Sequence, residues 1–139
     1  MTQFRYRDDA ETGQNPVPLA EFPASNATAV RIEPGEDARD LLPHLDRITL
    51  VEIAFPKFRD GRGYSSARIL REAGYTGEMR AAGDVLVDQV AFMRRCGFDS
   101  FAPDMPLDPV VVERALSTYA DVYQSAADAA TPVWKLRHG

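Results

Sequence analysis

Residues 48–102 read ITLVEIAFPKFRDGRGYSSARILREAGYTGEMRAAGDVLVDQVAFMRRCGFDSFA. The first eight are almost continuously apolar and rich in β-branched side chains. That is the composition of a strand covered on both faces. A polar, glycine-flanked loop follows, and the period then changes. Ala67 and Leu70, with the Ala73-Gly74 end, mark the packed side of a helix over 65–73, and Gly74 supplies the positive φ that ends it. Residues 78–82 form a second, shorter strand. Asp84 is the expected N-cap of the next helix, whose stripe is Leu86, Val90, Met93 and Gly97, widened by Phe92 and Cys96. Gly97 followed by Phe98 is a helix ending with its apolar contact. Residues 99–102 make a third strand, closed by Pro103.

The same alternation extends in both directions. Residues 29–32 are a short strand. Residues 37–45 are helical, with Ala38, Leu41, Leu42 and Leu45 on one face and Pro43 shortening or kinking it. Asp108 and Pro109 open a last helix as N-cap and N1. Its apolar stripe, Val112, Ala115, Leu116, Tyr119, Val122, Tyr123 and Ala126, predicts a long C-terminal helix. The expected fold is α/β, a small parallel sheet of about four βα units with right-handed crossovers, either open or half-barrel-like. A half barrel leaves apolar edges that homodimerisation would cover. The expected organisation is an N-terminal extension over 1–28, one α/β domain over 29–128 and a tail over 129–139 in which Trp134 acts as an anchor. In the extension, Phe4 and Tyr6 alternate with Arg5 and Arg7, the pattern of an edge strand. A Gly/Asn/Pro loop then runs to Pro18.

Composition narrows the chemistry. The chain of 139 residues has a net charge of −5, one cysteine and two histidines. Cys96 alone cannot make an internal disulfide, a CxxC pair or a cysteine-ligated cluster. His44 and His138 stand in separate contexts, so no cofactor and no metal is expected. The acidity argues against broad nucleic-acid binding. No apolar run approaches the roughly 18 residues of a membrane span, and the first residues lack the apolar core of a signal peptide. Cytoplasmic residence is the expectation.

One segment contradicts that acidity. Residues 57–71 carry Lys57, Arg59, Arg62, Arg68 and Arg71 against Asp60 alone. In parallel α/β folds, ligands sit beyond the C-terminal strand ends. Lys57, Arg59 and Arg62 belong on that rim, with Arg80 near the end of the next strand. Gly61 and Gly63 permit close backbone approach, and the following helix offers free N–H groups beside Ser65 and Ser66. This composite suits an oxyanion or an acidic partner. The competing reading pairs those arginines with Asp60, Asp84 and Asp104 in a structural network. The same carboxylates, with Asp88, could instead serve as acid–base groups; Asp84 as a cap, Asp60 as a turn residue and Asp88 on an exposed helix face are the structural alternative. Gly61-Arg62-Gly63 is not a dinucleotide fingerprint, since Ser66 stands where the third glycine belongs.

Cys96 sits on the apolar stripe at a helix end, where the dipole disfavours a thiolate, and reads as a structural residue. Arg94 and Arg95 fit the same dipole. Phe55, Phe58, Tyr64, Tyr75 and Phe101 read as core packing near the strand ends.

The segments FPKFRDGRGYSSARILRE and GYTGEMRAAGDVLVDQVAFMRRCGFDSF resemble the bacterial domain-of-unknown-function family 934. The resemblance covers roughly residues 29–125. It implies an association with assimilatory sulfite reduction, since members carry an oxidoreductase label in that process; it brings no catalytic residue set. With no redox-cofactor ligands here, the first reading is an accessory protein that binds an anion or acidic partner through 57–65. The alternatives are a cofactor-poor (βα) enzyme on a small anionic substrate, using Asp60, Asp84 or Asp104 with Arg62 and Arg80, and a scaffold for the sulfite reductase complex.

Overall fold

The computed structural model describes residues 2–11, 13–56 and 61–127, with side chains to residue 118. Six strands form one open sheet: β1 (Phe4–Arg5), β2 (Val17–Pro18), β3 (Ala29–Ile32), β4 (Leu50–Phe55), β5 (Glu78–Gly83) and β6 (Ser100–Pro103), in the order β1-β6-β5-β4-β3-β2. Strands β2 to β6 are parallel, and β1 runs antiparallel to β6. Each βα unit adds its strand beside the previous one. Crossovers of one hand then place the helices on one face. A 3-10 helix (Ala38–Arg47), α1 (Arg62–Glu72), α2 (Val87–Cys96) and α3 (Pro109–Ala127) lie side by side there.

The pleat divides the strand residues between two environments. Val30, Ile32, Val51, Ile53, Phe55, Met79, Ala81 and Phe101 face the helices and meet Ala38, Leu41, Ala67, Leu70, Val90, Met93 and Val112 in one core. Between them, on the other face, stand Arg31, Glu52, Arg80, Ser100 and Arg5, aligned in one row by the strand register. The extension joins the sheet at the β6 edge and again at the β3 edge, and Glu11 between them lies 3.9 Å from Arg80.

Several boundaries differ from the sequence reading, each for a local reason. The segment with Pro43 is a 3-10 helix, because proline removes an α-type hydrogen bond. Its three-residue period lines up Ala38, Leu41 and His44, so His44 meets the Phe22 ring edge-on at 5.9 Å and Leu42 is left exposed. Helix α1 begins at Arg62, three residues before the expected start. Helix α2 begins at Val87 with Leu86 as N-cap, not Asp84. Asp84 N–H bonds to Phe55 O at 2.7 Å, which extends the sheet, and Val85 must still turn into the core. The Gln89 side chain then takes the Leu86 N–H. Asp108 caps α3 as expected, accepting from Val110 N–H at 2.9 Å. Among the described residues, no helix is long and apolar enough to cross a membrane. The expected tail, including Trp134, lies outside the described residues.

Candidate functional site

At the C-terminal end of β4 the chain passes through Lys57, Phe58, Arg59 and Asp60, which lie outside the described residues, to Gly61 and α1. Gly61 is the N-cap and makes no side-chain cap bond. The first-turn N–H groups of α1, which have no partners within the helix, therefore sit at the rim with the positive end of the helix dipole. Arg62 is the first helical residue and exposed, and its Nη1 lies 3.4 Å from where a side chain at Gly35 would begin. That places its guanidinium over the loop after β3. Ser65 is exposed one turn on, while Ser66 is buried. Asp84 and Asp104 reach the same rim: Asp104 N–H bonds to Gly83 O at 2.8 Å, as Asp84 N–H does to Phe55 O.

Gly63 has a different reason from the one expected. A Cβ there would fall 2.4 Å from Phe55 Cζ, a ring with no exposed surface, so this glycine lets α1 close on β4. A Cβ at Gly61 would meet nothing within 4 Å among the described residues. Phe55 also packs on Tyr64 and Phe98, and Tyr64 on Phe92. Tyr75 lies at the opposite end of the sheet, and Phe101 packs beneath the extension, so the aromatic residues divide among three places.

Arg80 does not join the rim. It lies in the middle of β5 on the helix-free face, where its Nη2 meets Glu52 Oε2 at 2.7 Å. Arg31 takes the other Glu52 oxygen. Arg71 leaves the rim as well, lying at the far end of α1. It donates to Gly97 O at 2.8 and 3.0 Å, to Tyr75 O at 2.9 Å and Gly77 O at 2.8 Å, and to Asp99 Oδ2 at 3.2 Å. Arg68 acts on the Cys96 thiol, favouring its charged form. The local positive charge of the sequence therefore divides among separate tasks, and Arg62 is the described cation that stays at the β4–α1 rim.

The N-terminal strand ends hold a cluster not foreseen from sequence. Asp99 is 5% exposed; it accepts from Met79 N–H at 2.8 Å, Arg7 at 2.7 Å and Arg71. Tyr75 donates to Glu78 O, and burial drives its phenol well above the ordinary range. Beside it opens a depression of about 400 Å³ lined by Arg7, Asp9, Asp46, Thr49 and Thr76 among others. The signal in the sequence was the Arg5–Arg7 alternation; its buried partners Glu78 and Asp99 lie 73 and 92 residues away.

Cys96 is buried, and burial pushes its thiol up while Arg68 and Arg95 oppose the shift. Arg94 is also buried, with its guanidinium 4.4 Å from the centre of the Tyr6 ring. More than the helix dipole holds it there. Among the described residues no three His, Cys, Asp or Glu side chains gather as metal ligands.

No curated protein and no solved structure matches the chain. One family model matches residues 29–134, from the first central strand through all three α-helices, and the chain therefore belongs to that family, described as bacterial protein of unknown function (DUF934).

Proposed function

We propose that the β4–α1 rim binds a small oxyanion or an acidic group of a partner, and that the protein serves as an accessory factor in sulfite reduction. The observation carrying this reading is α1's N-terminus, which has no side-chain cap, with Arg62 in its first turn and Gly61 open to close approach. N–H groups with no partner inside the helix, the positive end of its dipole and the Arg62 guanidinium share one rim, the arrangement that favours an anion. Lys57, Arg59, Gly63 and Ser65 complete the proposed set. Arg80 is committed to Glu52 and is not used. Asp84 and Asp104 at the same rim leave room for the enzyme reading. The internal pairing of Arg80 and Arg71 favours the scaffold reading. The test is a thermal-shift screen with sulfite, sulfate, phosphate, nucleotides and flavins, since a ligand of the folded state raises the melting temperature by mass action. A shift with a tetrahedral or pyramidal oxyanion supports the proposal. No shift at tens of millimolar anion would remove the small-anion form of it.

A further inference from the structure

The sheet edge at β6 reads residues 2–7, Thr-Gln-Phe-Arg-Tyr-Arg, one side chain at a time. Thr2 Oγ1 accepts from Arg80 at 3.2 Å. The Gln3 amide donates to Leu107 O at 2.7 Å and accepts from Leu107 N–H at 2.9 Å. Phe4 lies opposite Phe101 in the antiparallel ladder. Arg5 Nε donates to Glu78 Oε1 at 3.0 Å. Tyr6 lies under Arg94 and meets Phe101 edge-on at 6.1 Å. Arg7 donates to Asp99 and to Thr76 O. The backbone adds Gln3 N–H to Phe101 O and Tyr6 N–H to Asp99 O. This is strand addition to a sheet edge, with main-chain bonds for affinity and alternate pockets for specificity.

Two features separate strand from groove. The groove residues lie inside the family-matched segment, and residues 2–7 lie outside it. The groove also cannot stand empty at low cost, because Glu78 is over nine-tenths buried with Arg5 as its cation, while Asp99, equally buried, would lose Arg7 and keep Arg71. Buried carboxylates left without cations are strongly unfavourable. The residues that follow, Asp8, Asp9 and Ala10, are exposed and in no regular element.

We propose that this groove is a strand-docking site filled in trans by a second copy of the chain, with two copies exchanging residues 2–7. The occupant follows from the charge match. A second copy carries the same Arg5-Tyr6-Arg7 strand, and exchange keeps every contact with the groove while altering the exposed hinge, where Arg5 and Arg7 meet Asp9. Such swapping is a low-cost route to a dimer. Its population rises with protein concentration.

The test uses charge reversal in the full chain. Arg5→Glu and Glu78→Arg each place like charges in the groove of their own chain. When the two variants are mixed at equal amounts, exchange restores both charge matches. The strand reversed by Arg5→Glu meets the groove reversed by Glu78→Arg, and the unaltered strand of the second variant meets the unaltered groove of the first. A heterodimer of twice the mass is therefore expected by native mass spectrometry. The chain carrying both substitutions shows whether the reversed pair folds. A mixture that stays monomeric while that double variant folds normally overturns the proposal. Where the double variant fails to fold, a Gln3→Cys chain is mixed with a Leu107→Cys chain at high concentration under oxidation. A 3–107 disulfide between chains is expected, and its absence overturns the exchange.

Discussion

Gly61 and Gly63 stand two residues apart, and packing requires glycine at Gly63 alone of the two. Gly63→Ala drives a methyl into the buried Phe55 ring and is expected to cost about 1–3 kcal/mol, the usual range for overpacking. Gly61→Ala meets open space at an ordinary negative φ and is expected to stay within about 0.5 kcal/mol of wild type. Denaturant midpoints of the two variants check this contrast. The sequence marked both glycines for close backbone approach but not which one packs, because the ring that fills the space comes from a strand eight residues earlier. For Cys96, burial raises the thiol pKa, so labelling of the native thiol at neutral pH is expected to be slow and to accelerate only on unfolding. Labelling as fast as that of a free peptide thiol would contradict a structural cysteine.

At the scale of elements, Asp99 joins the extension, α1 and the start of β5. Asp99→Asn keeps the shape but removes the charge that Arg7 and Arg71 share, and breaking a buried pair costs roughly 3–5 kcal/mol. A loss under 1 kcal/mol in urea unfolding would show that the cluster relaxes. The extension is also acid-sensitive. Hydrogen bonding from Arg7, with Arg5 adding to it, holds the Asp9 carboxyl at about 2 against an ordinary 3.8. A depressed pKa contributes stability above the ordinary value and loses it as pH falls towards the folded one. The stability that these pairs give the turn over residues 5–9 is therefore expected to fall as pH drops from 3.8 towards 2, and Asp9→Asn to lack that component at neutral pH. Amide hydrogen exchange at Tyr6 across that range reads it out. The regular elements were largely legible because periodicity and glycine stops are local signals. The 3-10 geometry and the start of α2 were not, because a proline and the bond from Asp84 to β4 overrode the local pattern.

Across the whole molecule, a parallel α/β sheet was legible from alternating strand and helix periods, and the mostly parallel sheet matches that expectation. The contents of the helix-free face did not follow. Arg31, Glu52 and Arg80 come together only through register between strands distant in sequence, and this row takes Arg80 away from the rim where sequence placed it. Arg71 leaves by the length of α1, which carries it to the opposite end of the sheet. What stays at the rim is α1's N-terminus with Arg62, and the proposed function depends on that group. The most direct measurement is calorimetric titration of sulfite, sulfate and phosphate into wild type and Arg62→Ala, with melting curves of both. The expected result is binding by wild type that weakens about tenfold or more in the variant, the equivalent of roughly 1.5–3 kcal/mol for a charge-assisted hydrogen bond, at an unchanged melting temperature. Equal affinity in the two proteins, or a variant that unfolds instead of losing affinity, would contradict it.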